Sequence, residues 1–140
     1  MSEPQAPGAS AAFRFPIRVY WEDTDAGGVV FYANYLKFFE RARTEWLRSA
    51  GFSQERMRAE TGVMFVVAHT AVRYLRPARL DDLLEVTVQV RRAAAASFEI
   101  VQQAWCEGTL LAEGDIKIGC VDVASFRPRR IPSEIFEKLQ

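Results

Sequence analysis

Three carboxylates stand within four positions, just before an apolar run that opens a long helical pattern. The stretch is YWEDTDAGGVVFYANYL, residues 20–36, and its carboxylates are Glu22, Asp23 and Asp25. Gly27 and Gly28 follow, and glycine lets the backbone turn sharply and come close to a substrate. A carboxylate held at such a turn can attack a carbonyl group or activate a water molecule.

The amides at the start of the following helix could complete that chemistry. A helix N-terminus offers free N–H groups and a partial positive charge. These groups can hold the oxyanion that forms when a carbonyl is attacked. A carboxylate beside them suits acyl transfer and requires neither serine nor histidine.

Three other interpretations of this stretch compete with catalysis. Acidic side chains also satisfy backbone donors in turns and at helix N-termini. A calcium loop beginning at Asp23 would place Asp25 and Gly28 correctly, but Gly27 and Asn34 would then occupy ligand positions. A phosphate loop needs a Gly-Lys-Ser/Thr ending, which is missing here. We predict no metal site and no cofactor.

The other chemistry-bearing residues favour the carboxylate by exclusion. The chain has no G-x-S-x-G motif, and its single histidine, His69, stands in an alternating strand where a structural role is more common. Cys106 and Cys120 lie in strand-like runs without a C-x-x-C motif. We interpret them as buried free thiols of a protein in a reducing compartment.

Length and charge narrow the class of protein. A chain of 140 residues makes one domain, and 18 basic residues balance 18 acidic ones, so bulk charge attracts neither nucleic acid nor an anionic membrane. Residues 1–12 lack the segments of a signal peptide and are expected to be disordered. No apolar run reaches the ~18 residues of a membrane span. We predict a cytoplasmic protein whose single domain is residues 13–140.

The hydrophobic period predicts one long helix and five strands. Strands are expected at 13–21, 64–75, 84–92, 97–106 and 110–122, and helices at 33–50, 53–60 and 132–139. Gly51 and Ser53 are typical helix caps, and Glu107-Gly108 predicts a hairpin turn. Consecutive strands pair through hairpins, so the fold class is α+β, with one antiparallel sheet against the long helix.

Two blocks of the sequence resemble a known enzyme family. They are EDTDAGGVVFYANYLKFFERARTEWLRSAGFSQ and VRYLRPARLDDLLEVTVQV. The chain is similar over residues 15–136 to the hotdog-fold acyl-CoA thioesterases of the 4-hydroxybenzoyl-CoA thioesterase and YbgC type. The resemblance implies a hotdog fold, with a curved five-stranded sheet around a central helix. It also implies a homodimer or homotetramer that hydrolyses acyl-CoA, with active sites at the subunit interface.

The same resemblance assigns roles to residues. It implies that Asp25 is the catalytic carboxylate and that the Tyr32 N–H polarises the thioester carbonyl. The residues expected to contact the substrate between them are Gly28, Val29, Val30 and Phe31. Many YbgC-type members carry histidine at the position of Tyr32, whereas the 4-hydroxybenzoyl branch carries tyrosine, so the acyl preference stays open.

Coenzyme A carries three phosphoryl groups, so a basic cluster is expected. Arg91 and Arg92 are the first candidates; the further ones are Arg76, Arg79, Arg127, Arg129 and Arg130. An apolar helix stripe could line an acyl tunnel or simply form core; its large members are Phe38, Phe39 and Trp46.

Two rival functions stay within the same fold. One is a non-catalytic partner that binds acyl-CoA or acyl carrier protein in phospholipid synthesis. The other is a dehydratase that uses His69.

Overall fold

The structure, a computed structural model, describes residues 12–140. The predicted disordered tail therefore lies outside the described residues, apart from Ala12. The strands are β1 (Phe13–Arg18), β2 (Val63–Tyr74), β3 (Leu83–Ala93), β4 (Ser97–Cys106) and β5 (Thr109–Asp122). The helices are α1 (Asn34–Ser49), α2 (Gln54–Thr61) and α3 (Ser133–Leu139), with a 3-10 turn at Trp21–Asp23.

The five strands form one curved antiparallel sheet in the order β1-β3-β4-β5-β2. Helix α1 packs against β1 and β3 inside the curve. The predicted α+β architecture is confirmed, and most element boundaries agree within two residues. The hairpin between β4 and β5 turns at Glu107 and Gly108, whose φ angles are 49° and 80°. Both are positive, as the favoured two-residue hairpin turn requires.

The apolar stripe of α1 forms the centre of the core. Phe38 and Phe39 are both 0% exposed, so within one subunit they are core side chains. The Phe39 ring lies over Gly114 of β5, where an added Cβ would come within 3.0 Å of Phe39 Cε2. Trp46 is partly buried and its ring packs on Phe98.

A buried amide ties α1 to the sheet. Gln102 of β4 is 0% exposed, and its Nε2 donates to the Phe39 carbonyl at 2.9 Å. Its Oε1 accepts from Arg43 Nη1 at 3.0 Å. Burial lowers the pKa of the Arg43 guanidinium. These bonds satisfy the polar groups that the core encloses, which would otherwise be costly to bury.

The two edges of the sheet differ in character. β1 carries Pro16 and is an edge strand, the usual location of a proline within a sheet. β2, at the other edge, is twelve residues long. Val67 and Tyr74 on this strand are 49% and 45% exposed, and the register with β5 shifts between Val67 and His69.

Two details of the sequence prediction are wrong. The first strand ends at Arg18 and not at residue 21, and Trp21 is 79% exposed because the chain leaves the sheet in the 3-10 turn. Cys106 is only half-buried, although Cys120 is buried and both thiols are free. Burial raises the pKa of both thiols. In residues 12–140, no helix is long and apolar enough to span a membrane.

Candidate active site

The acidic stretch forms a tight hairpin loop that leads into α1. The Phe31 N–H donates to the Asp23 carbonyl at 3.0 Å, and the Asp25 N–H donates to the Val29 carbonyl at 2.9 Å. At the tip, the Gly28 N–H donates to the Asp25 carbonyl at 3.0 Å. Gly28 has φ +79°, a left-handed conformation that glycine adopts without strain.

Asp23 is the structural carboxylate of the loop. Its side chain is 5% exposed, and Oδ2 accepts from the Tyr20 N–H at 2.8 Å. Its carbonyl accepts from Asn34 Nδ2 at 2.9 Å, which fastens the loop to the first residue of α1. At Asp23, the interpretation that an acidic side chain satisfies a backbone donor of the turn therefore applies. Sequence reasoning missed Asn34, although an amide at a helix start is a known signal.

Asp25 is the available carboxylate. Its side chain is exposed, and Oδ1 accepts from the Gly27 N–H at 2.8 Å. Within residues 12–140, Oδ2 has no hydrogen-bond or ion-pair partner. The single internal bond therefore orients the carboxylate and leaves one oxygen for a ligand.

The amides at the helix start divide into used and free groups. The N–H groups of Asn34, Tyr35 and Leu36 donate to carbonyls three residues earlier, at 2.8, 3.3 and 3.1 Å. Among the described residues, the N–H groups of Tyr32 and Ala33 donate to no acceptor. The free amides thus lie just ahead of the helix proper, which begins at Asn34 and not at Ala33.

An open cavity of about 270 Å³ lies beside Tyr32. Its walls are Val30, Tyr32, Tyr35, Tyr74, Leu75, Arg76 and Pro77. The ring centroids of Tyr32 and Tyr74 are 5.9 Å apart, and those of Tyr35 and Tyr74 are 5.5 Å apart. The buried Tyr35 hydroxyl accepts from the Ala78 N–H at 3.1 Å, and burial raises the pKa of Tyr35. Tyr74 gave no signal in the sequence.

The cavity takes in only part of the predicted site. Within one subunit, Tyr32 and Val30 line it, whereas Asp25, Gly28, Val29 and Phe31 do not. Those four residues lie on the adjoining loop, which is held by the bonds from the Asp25 N–H to the Val29 carbonyl and from the Phe31 N–H to the Asp23 carbonyl. In a single subunit the carboxylate faces open space.

Arg91 and Arg92, the first candidates for binding the CoA phosphates, do not lie beside the acidic loop of their own subunit. Arg91 follows the start of β3 by eight positions, which is ~27 Å along an antiparallel strand. Arg91 Nη2 is 2.6 Å from Asp115 Oδ1, and Arg92 Nε is 3.6 Å from Glu99 Oε2. The structure therefore does not bring them to the loop of their own subunit. His69 is exposed on the edge strand β2 and does not line the cavity beside Tyr32.

Comparison with known proteins gives a consistent result. Residues 19–139 match the model of the thioesterase-like superfamily. The chain is 48% identical over 124 residues to the acyl-CoA thioester hydrolase YbgC of Escherichia coli O6:H1, covering 88% of this chain and 92% of that one. It is 44% identical over 123 residues to the acyl-CoA thioesterase YbgC of Haemophilus influenzae, covering 88% and 90%. A crystal structure of a probable thioesterase from Bartonella henselae superposes with TM-score 0.84 at 35% identity, covering 87% and 100%.

Proposed function

This chain belongs to the thioesterase-like superfamily and is a thioesterase, and we propose that it hydrolyses acyl-CoA thioesters to free acids and CoA. The relatives at 48% and 44% identity carry acyl-CoA thioesterase names. One observation supports the residue assignment. Two free amides, at Tyr32 and Ala33, stand at the helix start, and the exposed carboxylate of Asp25 stands on the adjoining loop.

In this proposal the thioester carbonyl oxygen accepts a hydrogen bond from the Tyr32 N–H. Charge develops on that oxygen when the carbonyl carbon is attacked, and one such donor is worth roughly 3 kcal/mol in the transition state. Asp25 either attacks the carbonyl to give a mixed anhydride, or deprotonates the attacking water. In both routes the C–S bond breaks and the thiol leaves with a proton. In the general-base route, water supplies the new oxygen of the acid. In the anhydride route, that oxygen comes from water when hydrolysis occurs at the acyl carbon, and from Asp25, which then takes its oxygen from water, when hydrolysis occurs at the aspartyl carbon.

The proposal includes a second subunit. Asp25 faces open space in one subunit, and β2 is a long, partly apolar edge strand of the kind that pairs with another chain. A second copy joined at this edge would cover the exposed Tyr74 and the cavity beside Tyr32. The site then closes only in a homodimer or a pair of dimers. The proposed location of this assembly is the cytoplasm.

Asp25→Asn tests the mechanism, because the amide keeps the shape of the side chain but can neither attack nor accept a proton. We expect kcat for acyl-CoA to fall by at least about 100-fold, the scale of a lost general base or nucleophile. The measurement is thiol release from a panel of short-chain, long-chain and aromatic acyl-CoAs. Turnover of Asp25→Asn at the parent rate would overturn the mechanism.

A single-turnover reaction in ¹⁸O-water tests the nucleophilic role of Asp25, because ¹⁸O in its carboxylate after one turnover requires a covalent anhydride. A nucleophilic carboxylate acquires ¹⁸O when its anhydride is hydrolysed at the aspartyl carbon, whereas a general base acquires none. The same panel tests the binding-partner alternative, in which acyl-CoA or acyl carrier protein binds without turnover. Activity that disappears in Asp25→Asn excludes that alternative.

A further inference from the structure

We infer that Arg76 and Arg79 bind the phosphoryl groups of the thioester's carrier arm, an inference that rests on the proposed function. Both arginines are exposed and stand on the segment that joins β2 to β3. The site has two charged side chains on a fixed turn, and its ligand class is a phosphate monoester or diphosphate.

The guanidinium groups of Arg76 and Arg79 are available to a ligand. Within residues 12–140, neither the Arg76 nor the Arg79 guanidinium has a hydrogen bond or an ion pair. Of the other candidate arginines, Arg91 faces Asp115, Arg92 faces Glu99, and Arg129 faces Asp122 at 2.5 Å. Within residues 12–140, the guanidinium groups of Arg127 and Arg130 are also unpaired, but neither arginine lines the cavity beside Tyr32. A phosphate would have to compete with those carboxylates, whereas at Arg76 and Arg79 it would meet free donors.

Arg76 and Arg79 lie beside the loop that carries Tyr32. Val29 and Arg79 form a backbone bridge, and the Val30 N–H donates to the Ala78 carbonyl at 2.8 Å. Arg76 lines the same cavity as Tyr32. The two arginines therefore flank the loop that carries the proposed oxyanion amide. In this inference, the arm of a thioester whose carbonyl lies at the Tyr32 N–H runs over this segment.

Backbone and side-chain hydrogen bonds hold the segment that carries the two arginines. The Arg79 N–H donates to Asp82 Oδ2 at 2.9 Å, and the Asp82 N–H donates back to the Arg79 carbonyl at 3.1 Å. The Ala78 N–H is held by the Tyr35 hydroxyl, and Pro77 fixes its own φ. Asp82 is thus occupied by a backbone amide, and the Arg79 guanidinium stays free on a turn that needs no reordering to bind a ligand.

Three thioesters with the same acyl group test the inference: acyl-CoA, acyl-4′-phosphopantetheine and acyl-pantetheine, which carries no phosphate. In Arg76→Ala and Arg79→Ala, we expect KM for acyl-CoA to rise about threefold to tenfold, between the effect of an exposed ion pair and that of a charge-assisted hydrogen bond. In both variants, KM for acyl-pantetheine should stay unchanged, and so should kcat for acyl-CoA and for acyl-pantetheine. The matched control is Arg58→Ala, an exposed arginine on α2.

The phosphopantetheine arm separates the two sources of phosphate. An effect on acyl-CoA alone assigns the arginines to the diphosphate or 3′-phosphate of CoA. An equal effect on acyl-phosphopantetheine assigns them to the phosphate that acyl carrier protein also presents. Increasing salt should raise the wild-type KM for the phosphorylated thioesters only, because ions screen exposed charges.

Three results would overturn the inference. The first is an unchanged KM for acyl-CoA in both variants. The second is an equal rise in KM for acyl-pantetheine. The third is a rise in KM for acyl-CoA that appears in Arg91→Ala or Arg92→Ala instead. Binding of CoA and pantetheine by calorimetry gives a readout independent of turnover, and both variants should lose affinity for CoA only. If wild-type protein cleaves none of the thioesters but binds CoA through these arginines, the proposed function fails and the phosphate site stands.

Discussion

At the scale of single residues, two aspartates of the same loop have opposite environments. Asp23 is buried and bound to the Tyr20 N–H, whereas Asp25 is exposed with one free oxygen. An unpaired buried carboxylate is costly, so Asp23 must keep its donors to fold. Asp25 has no such requirement, which is why we propose it as the reacting carboxylate.

The two loop glycines should separate stability from activity. Gly28→Ala forces an L-residue to φ +79° and should lower the free energy of unfolding by about 1–2 kcal/mol. Gly27 has no positive φ, but an added Cβ would come within 3.2 Å of Asp25 Oδ1. Gly27→Ala should therefore lower kcat while changing stability little.

Urea denaturation and acyl-CoA turnover, measured on both glycine variants, check this prediction. The opposite pattern, an unstable Gly27→Ala and an inactive but stable Gly28→Ala, would contradict it.

At the scale of elements, local sequence signals account for most starts and stops. Ser53 precedes α2, and its hydroxyl accepts from the Arg56 N–H at 3.0 Å. Gly62 ends that helix in the left-handed conformation. These caps act within a few residues along the chain, so they were readable before any tertiary contact was known.

Ser53→Ala should lower the free energy of unfolding by ~1 kcal/mol, because removal of the capping hydroxyl leaves the Arg56 N–H without its acceptor. Ser49→Ala is the matched control, since the Ser49 hydroxyl only donates to the Trp46 carbonyl in the last turn of α1. Chemical denaturation of both variants gives the comparison. Equal losses at the two serines would contradict a specific capping role.

At the scale of the whole molecule, the single subunit leaves both its site and its β2 edge uncovered. Exposed apolar side chains along an unpaired edge strand favour pairing with another chain. The proposed active site would then depend on assembly, because the same event that pairs the edges would close the cavity beside Tyr32.

Val67→Lys should weaken the assembly and the activity together, because a charge on an edge strand opposes edge-to-edge pairing. Leu83→Lys on β3 is the matched control: both parent side chains are 49% exposed, but β3 lies inside the sheet. Sedimentation analysis gives the mass and thiol release gives the rate. A Val67→Lys protein that keeps the wild-type mass and rate would contradict assembly through β2.

The sequence by itself determined the elements, their order and the acidic loop before the long helix. Hydrophobic period, caps and turn residues act over a few positions, so the α+β class and the Glu107-Gly108 hairpin could be predicted from them. The early end of β1 was missed because Trp21 keeps the alternating pattern after the chain has left the sheet.

Only the tertiary structure decided which of several like groups is free. The Asp23 carboxylate is buried and accepts from the Tyr20 N–H, and Asn34 Nδ2 holds the Asp23 carbonyl, whereas the Asp25 carboxylate stays exposed. Arg91 and Arg92 are paired because β4 and β5 bring carboxylates beside them, whereas the β2–β3 connection brings none to Arg76 and Arg79. Pairing across strands depends on contacts far apart in the chain, and residue types alone do not carry that information.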